Sequence, residues 1–147
     1  MGNEEIGIND RILFVDDDPD ILKLCTRLFK DKYHVDTAND GLEGFDKIRY
    51  GLENKIPFLT VVTDIEMPHL DGIMLLTQLR ETGVDGKTPF IYHSGNAMLY
   101  KPKLIELGAY AICDKLPGIK ANLSPVIARA VDEGRKIYYP ESRHVYQ

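Results

Sequence analysis

Short apolar runs alternate with segments of helical periodicity along most of this chain. Five runs are apolar, or alternate between apolar and polar residues, as strands do, and they span residues 11–15, 33–38, 58–63, 89–93 and 110–113. Between them, apolar residues recur at the spacing of one helix face, which predicts helices over 19–29, 41–52, 72–83, part of 97–107 and a last helix ending near Gly134. Because parallel strands need crossover helices, this alternation predicts an α/β fold with a parallel sheet and helices on both faces.

Capping residues and prolines locate the helix ends. Asp18 is the predicted N-cap of the first helix, with Pro19 at its first position, and Asp71-Gly72 opens the third helix. Pro102 should either start or kink the fourth helix, because proline lacks a backbone N–H. Ser124-Pro125 suits the cap and first turn of the last helix, although that helix could begin earlier, and the residues after its end form a tail.

Composition and charge narrow the functional classes. The chain has 147 residues, 44% of them hydrophobic and 28% charged, which fits one globular domain. A formal net charge of -5 argues against non-specific binding to nucleic acid, and no apolar run approaches the roughly 20 residues of a membrane span. Cys25 and Cys113 each lie in an apolar stretch, so we expect buried free thiols and a reducing, cytoplasmic location.

Polar side chains that can support chemistry follow four of the predicted strands. Asp16 and Asp17 come after the first strand, Asp64 after the third, Ser94 after the fourth and Lys115 close behind the fifth. In open parallel sheets, ligands bind beyond the carboxyl ends of the strands. We therefore expect these side chains to meet at one edge of the sheet.

This set of side chains has a common chemical explanation. Neighbouring carboxylates repel one another unless a cation neutralises them, and oxygen-only ligands suit Mg²⁺, which also recruits phosphate oxygens. A lysine and a serine hydroxyl can bind a phosphoryl group, and a carboxylate can act as a nucleophile that forms an aspartyl-phosphate. The combination predicts Mg²⁺-dependent phosphoryl transfer.

Taken singly, each of these residues has a simpler explanation. A carboxylate such as Asp18 before a helix serves as a cap and interacts with the helix dipole. A strand-end aspartate such as Asp64 is often a turn residue, Lys115 alone would be a surface lysine, and Ser94-Gly95 alone is a common turn. Their joint arrangement at four strand ends favours one shared site over four unrelated turns.

The stretch from Asp64 to Gly72, DIEMPHLDG, matches the D-x-x-M-P-x-x-D-G pattern of the receiver domains of bacterial response regulators. With the other strand-end residues in place, the chain resembles this CheY-like family of two-component signalling over residues 10–135. The resemblance implies a flavodoxin-like, doubly wound sheet of five parallel strands in the order 2-1-3-4-5. Residues 1–9 would then be an N-terminal extension, and residues 136–147 a C-terminal tail.

The resemblance also implies roles for the acidic residues. Asp64 would be the phosphoacceptor, and Mg²⁺ would be the cofactor. Asp17 would bind the metal directly, Asp16 would act largely through water, and Glu66 would lend its backbone carbonyl to the metal. Such a domain is not an enzyme beyond its own phosphorylation and autodephosphorylation.

Further roles concern the phosphoryl group and the partners. Ser94 would bind the phosphoryl group and shift inward on activation, Lys115 would pair with its oxygens, and the small Gly95 would leave it accessible. The donor would be a histidine kinase or a histidine phosphotransfer protein. The domain would signal in trans to an unknown downstream protein through the face around helix four, strand five and helix five, which could also form a homodimer.

Two departures from the family pattern concern the activation switch. The family's lysine usually precedes a proline, whereas Lys115 precedes Leu116, and Pro117 comes one residue later. The aromatic switch residue usually lies three residues before that lysine, which is Ile112 here, while Tyr110 lies two residues earlier. Coupling from the hydroxyl to the aromatic switch is therefore expected to be altered.

A third departure concerns Glu66 and Asn96, which occupy variable positions that tune the lifetime of the phosphorylated state in the family. A carboxylate at Glu66 could either repel an attacking water or orient it, and the sequence leaves both alternatives open.

Two other functions are compatible with parts of the sequence. A pseudo-receiver that acts by protein contact alone would explain the atypical Ile112 and Leu116. A haloacid-dehalogenase-type phosphohydrolase would use the D-x-D within Asp16 to Asp18, but it requires threonine or valine where Asp20 stands.

Overall fold

In the part of the chain that the structure describes, five strands alternate with five helices in chain order. The structure is a computed structural model and describes residues 10–83, 87–116 and 118–140. The strands are β1 (Arg11–Val15), β2 (His34–Ala38), β3 (Thr60–Thr63), β4 (Phe90–Ser94) and β5 (Ala111–Asp114). The helices are α1 (Pro19–Phe29), α2 (Gly41–Glu53), α3 (Gly72–Thr82), α4 (Ala97–Glu106) and α5 (Ile119–Tyr138).

All strand pairs in the sheet are parallel, and the strand order is β2-β1-β3-β4-β5. β1 lies between β2 and β3 in the sheet. Its residue Leu13 pairs with Asp36 of β2 on one side and with Val61 of β3 on the other. The second strand is therefore added on one side of β1, and the third, fourth and fifth strands are added in turn on the other side. The predicted doubly wound α/β fold and its strand order are confirmed.

The sheet separates two apolar clusters. Alternate side chains of a strand point to opposite faces, so Leu13 and Val15 pack with residues of α2, α3 and α4, whereas Ile12 and Phe14 pack with residues of α1 and α5. Both faces are thus covered by helices, which explains why β1, β3 and β4 are buried along almost their whole length.

The helix starts follow the predicted capping residues at two places. Asp18 is the N-cap of α1, and its carboxylate accepts a 2.9 Å hydrogen bond from the Asp20 backbone N–H. Asp71 caps α3 in the same way, accepting 2.7 Å from the Met74 N–H. α3 ends at Thr82, and the C-cap Gly83 takes the left-handed conformation with φ 68. The predicted starts of α1 and α3 are therefore confirmed.

Four of the five predicted strands differ from the structure by one or two residues at an end. β2 begins at His34 rather than at residue 33, and β4 spans Phe90–Ser94 rather than 89–93. β3 begins at Thr60 rather than at residue 58, although Phe58 is buried beneath the guanidinium of Arg11. β5 spans Ala111–Asp114, so Tyr110 precedes the strand instead of opening it. The predictions for β3 and β5 each included an aromatic residue, Phe58 or Tyr110, because aromatic residues have a high β propensity, but both residues precede the strand.

The last helix is longer than predicted at both ends. α5 begins at Ile119, so Ser124-Pro125 lies inside the helix rather than at its start. Its first turn is held by the Asn122 side-chain amide, which donates to the carbonyls of Asp114 (2.7 Å) and Leu116 (2.9 Å). The helix continues to Tyr138, because its final turn packs on the second apolar cluster.

Pro102 lies inside α4, six residues into the helix rather than at its first turn. Its ring carries no N–H, so the carbonyl four residues earlier loses its intrahelical donor. The predicted extension over 1–9, the end of the tail over 141–147 and Pro117 lie outside the described residues. Among the helices of the described ranges, none is both long enough and apolar enough to cross a membrane.

Candidate functional site

Hydrogen bonds of the sheet continue one residue beyond the strands and position two aspartates. The backbone N–H of Asp16 donates to the carbonyl of Ala38 (3.1 Å), and that of Asp64 donates to the carbonyl of Val15 (2.9 Å). The sheet ladder thus fixes both residues at the carboxyl edge, side by side. This is the crevice where ligands bind in open parallel sheets.

The same edge carries Ser94 and Lys115. The Lys115 N–H donates to the carbonyl of Ser94 (3.3 Å), which links the ends of β4 and β5. Ser94 is buried, and its hydroxyl oxygen accepts a 3.1 Å hydrogen bond from the Asn96 N–H at the start of α4. The serine therefore joins the sheet edge to the helix that follows it.

Three carboxylates meet at the centre of this edge. Oxygens of Asp16, Asp17 and Asp64 lie within 4.8 Å of one another. Asp16 and Asp64 are buried, whereas Asp17 faces solvent. Clustered carboxylate oxygens with one open side match the donor chemistry that Mg²⁺ prefers, since this ion keeps several waters. The residues present therefore fit a divalent, oxygen-binding cation.

Lys115 bridges two of these carboxylates. Its Nζ lies 2.9 Å from Asp16 Oδ2 and 3.4 Å from Asp64 Oδ2. The lysine side chain is 22% exposed, against 5% for Asp16 and 11% for Asp64, so these charges interact with little solvent between them. Among the described ion pairs, Lys115 is the cation that pairs with Asp16 and Asp64.

Burial and the charges of neighbouring groups together set the pKa values of Asp64, Asp16 and Lys115. Burial raises the pKa of Asp64 to about 6, and the charge of Asp16 adds to this effect, while Lys115 opposes it. Burial likewise raises the pKa of Asp16, although hydrogen bonds from Asp18 and Lys115 offset part of the shift. For Lys115, burial alone would lower the pKa, but the hydrogen bond and charge of Asp16, with those of Asp64, outweigh it and raise the pKa.

The loop from β3 to α3 holds Asp64 rigidly. Asp64 Oδ1 accepts a 2.8 Å hydrogen bond from the Ile65 N–H, and the Ile65 carbonyl accepts 2.8 Å from the Gly72 N–H. A Cβ atom at Gly72 would lie 2.2 Å from the Asp64 carbonyl oxygen. Only glycine allows α3 to start this close to the aspartate.

The far end of this loop is attached to α2. The Leu70 carbonyl accepts a 3.1 Å hydrogen bond from the Gly41 N–H, and His69 Nδ1 lies 3.2 Å from Asp40 Oδ2. His69 has a φ of 68, in the left-handed region that non-glycine residues rarely adopt. These contacts fix the loop between α2 and α3.

The side chain of Glu66 points to α4. Its Oε2 accepts a 2.7 Å hydrogen bond from the Tyr100 hydroxyl, and its Oε1 accepts 3.3 Å from the Asn96 side-chain amide. The hydrogen bond from Tyr100, then that from Asn96, lowers the pKa of Glu66, and the pKa of Tyr100 is raised by the same contact. The carboxylate thus has a partner at each oxygen.

The predicted switch positions lie apart from the carboxylates. Ile112 is half-buried against the first apolar cluster and pairs in the sheet with Tyr92. Tyr92 is fully buried, and its hydroxyl donates a 3.0 Å hydrogen bond to the Gly72 carbonyl. Tyr110 is 39% exposed just before β5. Tyr92 on β4 is therefore an aromatic residue of the sheet that contacts the start of α3 directly.

Two further residues at the site were not predicted to belong to it. Tyr100 on α4 is one of them, and its hydroxyl donates to Glu66. His93 is 2% exposed and, with Asp16 and Asp64, lines a cavity of about 10 Å³ behind the carboxylates. Burial, and secondarily the charge of Lys115, lowers the pKa of His93 to about 4. The position of His93 within an otherwise largely apolar predicted strand was the one feature of the sequence that could have indicated this residue.

Comparison with known proteins places these observations in a family. A family model described as the response regulator receiver domain matches residues 12–121. The two-component response regulator ARR12 of Arabidopsis thaliana is 32% identical over 115 residues, which are 77% of this chain and 18% of that protein. The chain therefore spans less than a fifth of the length of this relative.

Solved structures show the same architecture. A CheY-like response regulator receiver domain protein from Methanospirillum hungatei is 27% identical, with a TM-score of 0.74, covering 86% of this chain and 97% of that one. The receiver domain of the histidine kinase CKI1 from Arabidopsis thaliana, complexed with Mg²⁺ and BeF₃⁻, is 25% identical. Its TM-score is 0.70, and the match covers 84% of this chain and 89% of that one.

Proposed function

This chain belongs to the response regulator receiver domain family of two-component signalling, and from that premise we propose that Asp64 accepts a phosphoryl group in a Mg²⁺-dependent reaction. The observation that carries the proposal is the contact of Lys115 with Asp16 and Asp64 beside the cluster of three carboxylates. One cation and three carboxylates at one open edge match the charges needed to hold a metal ion and a phosphoryl group together.

Four groups would hold the metal. Asp16, Asp17 and Asp64 would contribute carboxylate oxygens, with Asp16 acting largely through water, and Glu66 would contribute its backbone carbonyl. When bound, Mg²⁺ would neutralise negative charge on the carboxylates and on the phosphoryl oxygens. The structure of the CKI1 receiver domain complexed with Mg²⁺ and BeF₃⁻ supports this assignment by similarity.

The transfer step uses the Asp64 carboxylate as nucleophile. One Asp64 oxygen forms a bond to phosphorus, the bond between phosphorus and the donor's imidazole nitrogen breaks, and that nitrogen keeps the electron pair. Lys115 lies where it can move from Asp64 Oδ2 to the phosphoryl oxygens, and Ser94 can donate its hydroxyl to them. We propose a histidine kinase or a histidine phosphotransfer protein as the donor.

The output side of the function remains a set of predictions. We propose signalling in trans to a downstream protein through α4, β5 and α5, a face that could also form a homodimer. Chemistry would be limited to self-phosphorylation and autodephosphorylation. The domain limits at 10 and 135, the cytoplasmic location and the lack of binding to nucleic acid stay predictions from the sequence.

Beryllofluoride, which mimics a phosphoryl group on a carboxylate, tests the proposal. We expect it to bind the wild-type chain in the presence of Mg²⁺, and acetyl phosphate to label Asp64. Asp64→Asn should abolish both, whereas Asp18→Asn should preserve both, because asparagine is an equally good N-cap. ¹⁹F NMR detects the bound fluoride, and mass spectrometry locates the label.

A receiver that binds partners without phosphorylation is the alternative, and Leu116 after Lys115 is the observation that favours it. In that case the wild-type chain would bind neither beryllofluoride nor a phosphoryl group, and partner binding would be indifferent to Asp64→Ala. Labelling that survives in Asp64→Asn would instead place the acceptor at another residue.

A further inference from the structure

The Glu66 side chain is held by donors from the start of α4. Glu66 lies on the exposed loop two residues after Asp64. The Tyr100 hydroxyl donates to its Oε2 at 2.7 Å, and the Asn96 amide donates to its Oε1 at 3.3 Å. Hydrogen bonds to a charged carboxylate are stronger than bonds between neutral groups. Each oxygen of Glu66 therefore has a donor directed at it.

Both donors are themselves anchored. The ring of Tyr100 packs against the first apolar cluster, which fixes the position of the hydroxyl one turn into α4. Asn96 precedes the helix, and its N–H donates to the buried Ser94 hydroxyl at 3.1 Å. Glu66 is thus attached to the segment that carries Ser94, and we call the Glu66–Asn96–Tyr100 set the α4 clamp.

The clamp holds Glu66 apart from the acceptor group. Within the described ranges, the carboxylate oxygens that lie within 4.8 Å of one another belong to Asp16, Asp17 and Asp64, and Glu66 is not among them. A glutamate two residues from Asp64 on an exposed loop has the length to swing over the site. The hydrogen bonds to α4 select the other orientation.

We propose that Tyr100 is a positioning residue that keeps the Glu66 carboxylate away from the phosphoryl group on Asp64 and so slows its hydrolysis. This inference rests on the proposed function and deepens it. It also resolves the two alternatives left open by the sequence, because Glu66 promotes water attack only when the α4 clamp is open.

The hydrolysis step explains the direction of the effect. A water oxygen forms a bond to phosphorus, the bond between phosphorus and Asp64 breaks, and Asp64 leaves as a carboxylate with the electron pair. Inorganic phosphate keeps the two protons of the water. A free Glu66 carboxylate can accept a hydrogen bond from that water and orient it for attack. A carboxylate bound to Tyr100 and Asn96 is turned away from this position.

The test compares rates of phosphate release from chains labelled with acetyl phosphate and Mg²⁺. Tyr100→Phe removes one hydroxyl and keeps the packed ring, so we expect phosphate release to become roughly 2- to 10-fold faster, the range that one hydrogen bond supports. Tyr50→Phe, at an exposed tyrosine on α2, is the matched control. Phosphate release from this variant should be as fast as from the wild type.

A double substitution separates positioning from packing. In a Glu66→Ala background there is no carboxylate to release, so Tyr100→Phe should leave the rate unchanged. A packing defect at Tyr100 would instead accelerate release equally in both backgrounds. Equal acceleration in both backgrounds, an unchanged rate in Tyr100→Phe, or a slower rate in that variant would each overturn the inference.

The same experiment distinguishes this inference from the function on which it rests. Wild-type chain that takes no label would overturn the proposed function and this inference together. Wild-type chain that is labelled on Asp64, with Tyr100→Phe decaying at the wild-type rate, would overturn the inference alone. Thermal unfolding of each variant checks that the fold is retained.

Discussion

Individual buried residues at the carboxyl edge have protonation equilibria that differ from their ordinary values. Asp64, which directly follows β3, and His93, on the neighbouring β4, line one small cavity, yet their pKa values move in opposite directions. Burial favours the neutral form of each group, so the carboxylate is harder to ionise and the imidazole is harder to protonate. Each shift makes the stability of the fold depend on pH.

For Asp64, we expect the negative charge to destabilise the metal-free protein. Its pKa is about 6 in the fold against an ordinary 3.8, so stability falls as pH rises between those values. Asp64→Asn should therefore raise the free energy of unfolding at pH 7 by about 1–3 kcal/mol, and the difference should vanish towards pH 4. Urea denaturation with EDTA measures it. An asparagine variant less stable than wild type at pH 7 would contradict this expectation.

For His93, acid should destabilise the fold. Its pKa is about 4 in the fold against an ordinary 6.5, so the unfolded chain gains a proton first, and the contribution to stability is lost as pH falls through that window. Nε2 has no hydrogen-bond partner among the described residues. His93→Leu should be neutral or slightly stabilising at pH 7 and about 2–3 kcal/mol more stable than wild type near pH 4. A difference independent of pH would refute this.

At the scale of elements, the close approach of α3 to β3 positions the acceptor. α3 begins eight residues after Asp64, and its first residue lies against the backbone of that aspartate because Gly72 has no side chain. The buried Tyr92 hydroxyl on β4 donates to the Gly72 carbonyl and so attaches the start of α3 to the sheet. Strand, loop and helix therefore behave as one unit around the site.

Gly72→Ala tests this unit. The added Cβ would stand 2.2 Å from the Asp64 carbonyl oxygen, which is backbone and cannot rotate away. We expect a loss of about 2 kcal/mol or more in the free energy of unfolding, with weaker beryllofluoride binding. Gly95→Ala is the matched control, since apart from Gly95 and its two chain neighbours no described residue has an atom within 4 Å of the added Cβ. Equal stabilities of the two variants in chemical denaturation would contradict the steric argument.

At the scale of the whole molecule, α5 joins the end of the fold to its beginning. Arg135 donates from Nε (3.1 Å) and Nη2 (2.8 Å) to Asp10 Oδ1, ahead of β1. Tyr138 and Tyr139 pack on the second apolar cluster beyond this contact. The final turn of α5 is therefore part of the folded unit, although it extends past the end predicted for the helix.

Arg135→Ala should lower the free energy of unfolding by about 0.5–1 kcal/mol, because the arginine is partly exposed and solvent screens the pair. The loss should shrink at high salt. Lys136→Ala is the control, since its 3.9 Å contact with Glu133 is exposed on both sides. Urea denaturation is the suitable measurement, because the denaturant guanidinium chloride is itself a salt and would screen the ion pair. Equal losses for the two variants would contradict a specific role of the pair with Asp10.

Some prediction errors share one cause, which is packing between distant elements. Pro125 was expected in a first turn because proline favours that position, but side-chain bonds of Asn122 start α5 earlier. Tyr100 was not among the predicted site residues, because its hydroxyl donates to a carboxylate 34 residues away in the sequence. Local preference describes the neighbours of a residue along the chain, and these contacts come from elsewhere.

The sequence by itself determined the order of the elements, their helical or extended character and which polar residues follow the strands. It could do so because hydrophobic periodicity and capping are local, and because parallel strands must end at one edge. The tertiary structure alone decided the 4.8 Å cluster, the lysine that bridges Asp16 and Asp64, the burial that shifts their pKa values and the orientation of Glu66. Those properties depend on distances and solvent exposure, which exist only once the chain has folded.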